Sequence, residues 1–185
     1  MPQPICMRFI LSLILATTFF TGFAQSISFG NKAKMYLVRH AEKGPGEDPL
    51  LSDAGNKRAG DLVKTLKNEK ICHIYVTEYK RTQNTGDSVR LQLSIDTVHY
   101  LSDTSCTDLM NKLFANRDVN KSILIIGHSN TISQIIRKLG LPDYPKDNIP
   151  ANEFDNLFLL TFKNAQASLK SMKYGAASKN SATIQ

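Results

Sequence analysis

The feature that most constrains the fold is a short apolar run ending abruptly in two basic side chains. Residues 34–38 have the composition of a buried strand, and Arg39 and His40 follow it directly. Arg81 and His128 come after later apolar runs in a similar way. Taken singly, an Arg-His pair after a strand is usually a solvated strand end. Because ligands of open α/β sheets bind at the carboxyl ends of the strands, the repeated pattern predicts one pocket for an anion.

Apolar periodicity predicts strands and helices in alternation. Strands are expected at 34–38, 71–76, 95–100, 122–126, 156–162 and 168–174. Helices are expected at 53–68, 103–115 and from Ser129 to 139, and residues 77–89 are expected to form a turn that leads into a helix. The continuous run at 122–126 is typical of a central parallel strand, and the last two strands are expected to form a hairpin. The sequence therefore predicts an α/β fold, a three-layer α/β/α sandwich with a mostly parallel central sheet.

Both ends of the chain differ from its centre. Arg8 precedes a 16-residue apolar run that ends at Ala24, which predicts a signal peptide over residues 1–24. That run is shorter than the about 20 residues of a membrane-spanning helix, so a periplasmic or secreted protein is expected. One domain is predicted over residues 25–174, and the small polar residues of 175–185 predict a disordered tail.

The net charge of +7 becomes +7 − 1 = +6 when Arg8 is removed with the signal peptide. The lysines are dispersed along the chain, which indicates a solvated basic surface with no nucleic-acid or membrane partner after cleavage. The sequence leaves the oligomeric state open.

Processing would leave two cysteines, Cys72 and Cys106. Export would permit a disulfide, but the sequence does not decide whether the two pair. Cys72 falls within a strand and is expected in the core. Together with His73 and His99, the cysteines match no zinc-site spacing, so neither a metal nor another cofactor is expected.

Four motifs together carry a family resemblance. They are LVRHAEK, LSDAGNKRA, TEYKRTQNT and IIGHSN, in that order along the chain. The stretch from about residue 34 to residue 174 resembles the histidine phosphatase superfamily, in the branch with cofactor-dependent phosphoglycerate mutases and small phosphohistidine phosphatases. The resemblance implies a phosphoglycerate mutase-like fold and a phosphorylated small-molecule substrate as the partner. No carboxylate cluster in the sequence suggests a magnesium site.

The resemblance also implies roles for the pocket residues. His40 is expected to be the nucleophile, held by a backbone carbonyl and kept neutral by the neighbouring cations. Arg39 and Arg81 would bind phosphate oxygens through paired hydrogen bonds. His128 would donate a hydrogen bond to the phosphoryl group, and the amide of Ser129, at the start of the following helix, would be available to the anion.

The proton donor for the leaving group follows from no clear pattern. Asp103 is the predicted general acid because it follows a strand, although Ser-Asp is also an ordinary helix start. Glu42 is the alternative acid, and it is otherwise expected to support the loop after His40. Thr77 and Thr85 flank Arg81 and are expected to orient it.

The leading interpretation is an exported phosphatase that hydrolyses phosphomonoesters through a phosphohistidine intermediate. A phosphomutase and a protein phosphohistidine phosphatase are alternatives on the same fold. A catalytically inactive module that binds a phosphorylated ligand is an alternative of another class.

Overall fold

The computed structural model describes residues 28–145 and 147–178, so the predicted signal peptide lies outside the described residues. The strands are β1 Lys34–Arg39, β2 Ile71–Thr77, β3 Thr97–Tyr100, β4 Ser122–Gly127, β5 Asn156–Lys163 and β6 Gln166–Lys173. The helices are α1 Asp53–Leu66, α2 Lys80–Leu93, α3 Thr107–Ala115 and α4 Ile132–Lys138. In the described part of the chain, no helix is long and apolar enough to cross a membrane.

The strands form one six-stranded sheet in the order β3-β2-β4-β1-β5-β6. The first four strands in this order are parallel, while β5 runs antiparallel to both β1 and β6. The predicted C-terminal hairpin and the central position of β4 are therefore confirmed. The adjacent parallel strands β4 and β1 end at Gly127 and Arg39, which pair with each other. Consequently the residues that follow them, His128 and His40, emerge side by side at one edge of the sheet.

Two apolar cores flank the sheet, one on each face. One contains α1 and α2 side chains, including Leu62, Leu66 and Val89. The other contains α3 and α4 side chains, including Leu109 and Ile135. Because helices cover both faces, the predicted three-layer α/β/α architecture is confirmed.

Two helices begin later than predicted. α3 begins at Thr107 because Asp103 accepts a hydrogen bond from the Cys106 amide at 2.9 Å and closes a turn before the helix. α4 begins at Ile132 because residues 129–131 form a turn, with Thr131 as the residue before the helix. The prediction that a helix begins at Ser129 is therefore wrong.

Residues 175–178, which were predicted to begin a disordered tail, are ordered by hydrogen bonds. The Ser178 hydroxyl accepts hydrogen bonds from the amides of Phe154 at 2.8 Å and Asp155 at 3.1 Å, and the Ser178 amide donates to the Asp155 carboxylate at 3.1 Å. Residues 175–178 thus belong to the folded domain, and residues 179–185 lie outside the described residues.

Both described cysteines are free thiols. Cys106 lies in the core, whereas Cys72 is exposed, contrary to expectation. The reason is an irregularity in the β2–β4 register between Ile71 and His73, which turns the intervening side chain outward.

Candidate active site

The candidate nucleophile, His40, directly follows β1 and is 4% exposed. Its amide donates to the Gly127 carbonyl at 2.9 Å, which fixes the backbone against β4. Its ring nitrogen Nδ1 lies 2.8 Å from the Ala41 carbonyl oxygen. Since a carbonyl only accepts, Nδ1 carries the proton and Nε2 keeps its lone pair. The predicted anchoring of His40 by a backbone carbonyl is confirmed.

A threonine joins the nucleophile loop to the helix that carries Arg81. The Ala41 amide donates to Thr85 Oγ1 at 2.9 Å, and that hydroxyl donates to the Arg81 carbonyl at 2.7 Å. Thr85 therefore holds the backbone of the helix against the loop. Its expected role is refined, because it contacts the Arg81 main chain and not the guanidinium.

The Arg39 guanidinium is held from one side by the segment before β5. Its Nη1 lies 3.0 Å from each of the carbonyl oxygens of Pro150 and Ala151 and 3.3 Å from that of Glu153. The Phe154 ring stacks on the same guanidinium, 4.2 Å from its central carbon. Nε is buried and has no hydrogen-bond partner among the described residues. One side of the fork is thus anchored, and the other keeps an unused donor.

Arg81 lies near the start of α2 and is held by weaker contacts. Its guanidinium stacks on the Tyr79 ring at 4.2 Å, and its Nη1 is 3.7 Å from Asp48 Oδ1. Its Nε is also buried without a hydrogen-bond partner in the described part of the chain. Two buried guanidinium donors without acceptors are unusual, because buried polar groups are normally paired.

His128 directly follows β4, and its ring centre is 5.5 Å from that of His40. Nε2 is 3.0 Å from Thr77 Oγ1, and the Tyr79 ring meets the imidazole edge-on at 5.3 Å. The His128 amide donates to Thr131 Oγ1 at 2.9 Å. The hydroxyl of Thr77 therefore orients this histidine and not Arg81, for which it was predicted.

Both histidines are neutral at ordinary pH. Burial, followed by the charges of Arg39 and Arg81, lowers the pKa of His40 to about 4 against the opposing effect of the Ala41 carbonyl. Burial, followed by Arg81, His40 and Arg39, lowers the pKa of His128 to about 3. The predicted neutrality of His40 is thus confirmed, but burial contributes more than the neighbouring cations.

Part of the sequence matches a known protein family. Residues 35–114 match the sequence model of the histidine phosphatase superfamily (branch 1). Over that stretch the chain is similar to members of the histidine phosphatase superfamily. The matching residues include Arg39, His40 and Arg81, whereas His128 lies beyond them. No curated protein matches the sequence significantly.

Solved structures with the histidine phosphatase fold are similar to the structure of this chain. SixA from Agrobacterium tumefaciens, provisionally assigned as a phosphohistidine phosphatase, has a TM-score of 0.56 at 19% identity, covering 78% of this chain and 97% of that chain. A mutant phosphoserine phosphatase from Entamoeba histolytica in complex with phosphoserine has a TM-score of 0.53 at 16% identity, covering 77% and 96%. Mycobacterial glucosyl-3-phosphoglycerate phosphatase has a TM-score of 0.56 at 11% identity, covering 78% and 99%.

Glu42 supports the loop after His40 through an ion pair with Arg58. The Arg58 guanidinium contacts its carboxylate from Nη2 at 2.7 Å and from Nε at 2.9 Å and 3.0 Å. Burial alone would raise the pKa of Glu42, but the hydrogen bonds and charge of Arg58 hold it below its ordinary value. Gly55 of the LSDAG motif fits here because a Cβ would lie 2.0 Å from the Glu42 carbonyl oxygen. A lowered pKa is the opposite of what a general acid needs.

Asp103, the predicted general acid, is engaged in a turn. Its Oδ1 accepts hydrogen bonds from the Cys106 amide and the Ser105 hydroxyl. Among the hydrogen bonds and ion pairs of the described residues, none joins Asp103 to the two arginines or the two histidines. The structure thus brings the four core residues of the site together without bringing this carboxylate into contact with them.

Ser129 lies in the turn after His128, and its carbonyl accepts a hydrogen bond from the Ile149 amide at 2.9 Å. Because the helix begins only at Ile132, the Ser129 amide is not at a helix N-terminus as predicted. Its binding to phosphate stays a prediction that rests on its position beside His128.

Sequence reasoning missed three residues that shape the site. They are Asp48 and Tyr79 beside Arg81 and Phe154 over Arg39. Tyr79 lies inside the TEYKRTQNT motif, so an aromatic residue two positions before the arginine was an available signal. The other two come from irregular connections without periodicity. Among the described residues, no group of three or more histidine, cysteine or acidic side chains could hold a metal ion.

Proposed function

We propose that the protein is a phosphatase that hydrolyses phosphomonoesters through a phosphohistidine intermediate on His40. The observation that carries the proposal is the pair of buried, unpaired Nε donors of Arg39 and Arg81 beside a neutral histidine. A phosphoryl group would supply the missing acceptors, because its oxygens match the fork geometry of guanidinium groups.

The first step follows from the tautomer of His40. Nε2 attacks phosphorus while Nδ1–H donates to the Ala41 carbonyl, so the ring's growing positive charge is shared with a fixed acceptor. The two arginines neutralise the phosphoryl oxygens. When the Thr77 hydroxyl donates to His128 Nε2, the other ring nitrogen carries a proton and can donate to the same phosphoryl group.

The second step returns the enzyme to its starting state. Water attacks the phosphohistidine, the P–N bond breaks, and its electron pair returns to Nε2. Inorganic phosphate leaves. The charge neutralisation that a metal supplies in other phosphoryl-transfer enzymes is here assigned to the two guanidinium groups, so metal independence is part of the proposal.

Export is a further part of the proposal. It rests on the apolar run that ends at Ala24 and makes the protein periplasmic or secreted. Mass spectrometry of the protein from its native host should find an N-terminus at Gln25. Recovery of the intact N-terminus from the cytoplasm alone would contradict export.

Hydrolysis is tested with purified protein and a panel of phosphorylated metabolites and phosphopeptides, in the presence of a chelator. We expect metal-independent release of inorganic phosphate that disappears in His40→Ala. Transfer of the phosphoryl group to a second position on the substrate would favour the mutase alternative. Selective hydrolysis of a phosphohistidine peptide would favour the protein phosphatase alternative, and binding without turnover would favour the inactive module.

A further inference from the structure

The proposed hydrolysis needs a proton donor for the leaving group. Neither carboxylate nominated by the sequence is well placed to donate. Glu42 is held as an anion by Arg58, and no hydrogen bond or ion pair among the described residues joins Asp103 to the two arginines or the two histidines. The general acid of this site must therefore be sought elsewhere.

The loop of residues 44–50 connects the two halves of the site. Its base is closed by the Lys43–Leu51 bridge and by the Gly44 amide, which donates to the Leu50 carbonyl at 3.0 Å. The base is thus three residues from His40 along the chain. The loop reaches the start of α2, where Asp48 Oδ1 accepts from the Lys80 amide at 3.0 Å. It therefore extends from the nucleophile side of the pocket to the Arg81 side.

Asp48 is the carboxylate that this loop brings to the phosphate-binding groups. Its Oδ1 is 3.7 Å from Nη1 of Arg81, and its side chain is 34% exposed. The Lys80 amide engages Oδ1, and no hydrogen bond from another described residue reaches Oδ2. A group bound to Arg81 would lie beside a carboxylate oxygen at the solvent side of the pocket, where a leaving group departs.

We propose that Asp48 is the general acid and base of this site. The proposal rests on the proposed function. The negative charge of a bound phosphoryl group favours the protonated form of a neighbouring carboxylate, and it also occupies the charge of Arg81. Binding of substrate therefore prepares Asp48 to donate.

The proton balance closes over the two steps. As the His40 Nε2–P bond forms and the P–O bond to the leaving group breaks, the Asp48 carboxyl proton passes to the departing oxygen, giving an alcohol. The Asp48 carboxylate then takes a proton from the water that attacks phosphorus, and the P–N bond breaks. The products are the alcohol and inorganic phosphate, and both side chains return to their initial states.

Two other roles for Asp48 must be distinguished from proton transfer. It could cap α2, since the residue before the helix, Tyr79, provides no side-chain cap. It could also position Arg81. Asp48→Asn keeps an Oδ1 acceptor for the Lys80 amide and removes the transferable proton, so this variant separates capping from catalysis.

The test measures single-turnover release of the leaving group from an alkyl and an aryl phosphate. We expect Asp48→Asn to slow alcohol release from phosphoserine about 100-fold or more, and nitrophenol release from nitrophenyl phosphate less than about threefold, because nitrophenolate needs little protonation. Asp87→Asn is the matched control. Asp87 pairs with Arg90 on α2, and its loss should leave both rates within about twofold.

Three outcomes would overturn the proposal. Equal slowing of both substrates would assign Asp48 to positioning Arg81, and unchanged rates would leave it only as a cap. The same selective loss in Asp103→Asn, with Asp48→Asn unaffected, would return the role to Asp103. Failure of the proposed function is separate, since it would appear as persistent activity in His40→Ala.

Discussion

Two polar clusters of opposite character lie at the two ends of the parallel strands, which we call the two edges of the sheet. At the amino end, Asp118 is fully buried and accepts from His73 Nδ1 at 2.8 Å and from the Tyr75 hydroxyl at 2.6 Å. Lys121 adds an ionic contact at 3.0 Å to the other carboxylate oxygen, without hydrogen-bond alignment. At the carboxyl end, the Nε groups of the two arginines are buried with no acceptor among the described residues. The first cluster thus has its acceptor among the described residues, and these two donors do not.

This difference teaches how to separate structural from functional histidines. His73 is oriented by a buried carboxylate that also serves a tyrosine, which is the pattern of a cluster that stabilises the fold. His40 and His128 are oriented by neutral groups and lie beside two guanidinium Nε donors that have no acceptor among the described residues, an arrangement that suits a bound anion. Substitutions at the carboxyl end should therefore lower activity, and substitutions at the amino end should lower stability.

The largest effect is expected for His40→Ala. Turnover should fall by at least about a thousandfold, because the neighbouring imidazole, His128, has its Nε2 engaged by Thr77 and cannot readily replace His40. His73→Ala is the matched control at the opposite edge, and its activity per folded molecule should stay within about twofold. Steady-state assays and thermal melts of both variants would check this. Comparable losses of activity would show that the two clusters do not differ in their contribution to catalysis.

The free energy of unfolding should depend on pH because His40 is buried in its neutral form. Below about pH 6.5 the unfolded chain protonates its histidines, whereas folded His40 resists until about pH 4. The free energy of unfolding should therefore fall as the pH drops through this window. The contribution of His40 approaches about 3 kcal/mol at the acid end, at 1.36 kcal/mol per unit. Urea unfolding at about pH 7 and about pH 4.5 should show a smaller decrease in His40→Gln than in the wild type. Identical decreases would show that burial of His40 does not produce the effect.

Arg81→Lys should lower kcat/KM about 100-fold with little change in stability. Lysine keeps the charge but cannot present the fork that the phosphoryl oxygens require. Competitive inhibition by inorganic phosphate should weaken in parallel. Retention of wild-type phosphate inhibition would mean that Arg81 contributes only general positive charge.

Asp118→Ala should lower the free energy of unfolding by about 2 kcal/mol, because it leaves the buried Tyr75 hydroxyl and the partly buried His73 ring without their carboxylate acceptor. Denaturant unfolding would measure the loss. Activity of the folded fraction should be unchanged. A specific loss of kcat would place the amino-end cluster in the mechanism and remove the contrast between the edges.

The sequence predicted those parts of the site that follow strand ends. Arg39, His40 and His128 were predictable because apolar runs define where β1 and β4 stop, and parallel strands bring their carboxyl ends to one edge. Phe154 and Asp48 were not, because both come from connections whose path depends on tertiary contacts. One is placed by the Arg39 guanidinium, and the other by the Lys80 amide.

The two helix starts show the same limit at short range. The spacing of apolar residues located α3 and α4, but their first residues depend on which local acceptor takes each amide. Asp103 captures the Cys106 amide, and Thr131 captures the His128 amide. The sequence presents several such acceptors and does not rank them.

Trapping the phosphorylated enzyme tests whether His40 carries the phosphoryl group during turnover. Labelled substrate is mixed with wild-type protein, quenched within a single turnover, and the modified residue is located by mass spectrometry. We expect one label on His40 that is stable in alkali and lost in acid, because phosphohistidine is a phosphoramidate. An acid-stable label on a serine, threonine or aspartate would contradict it.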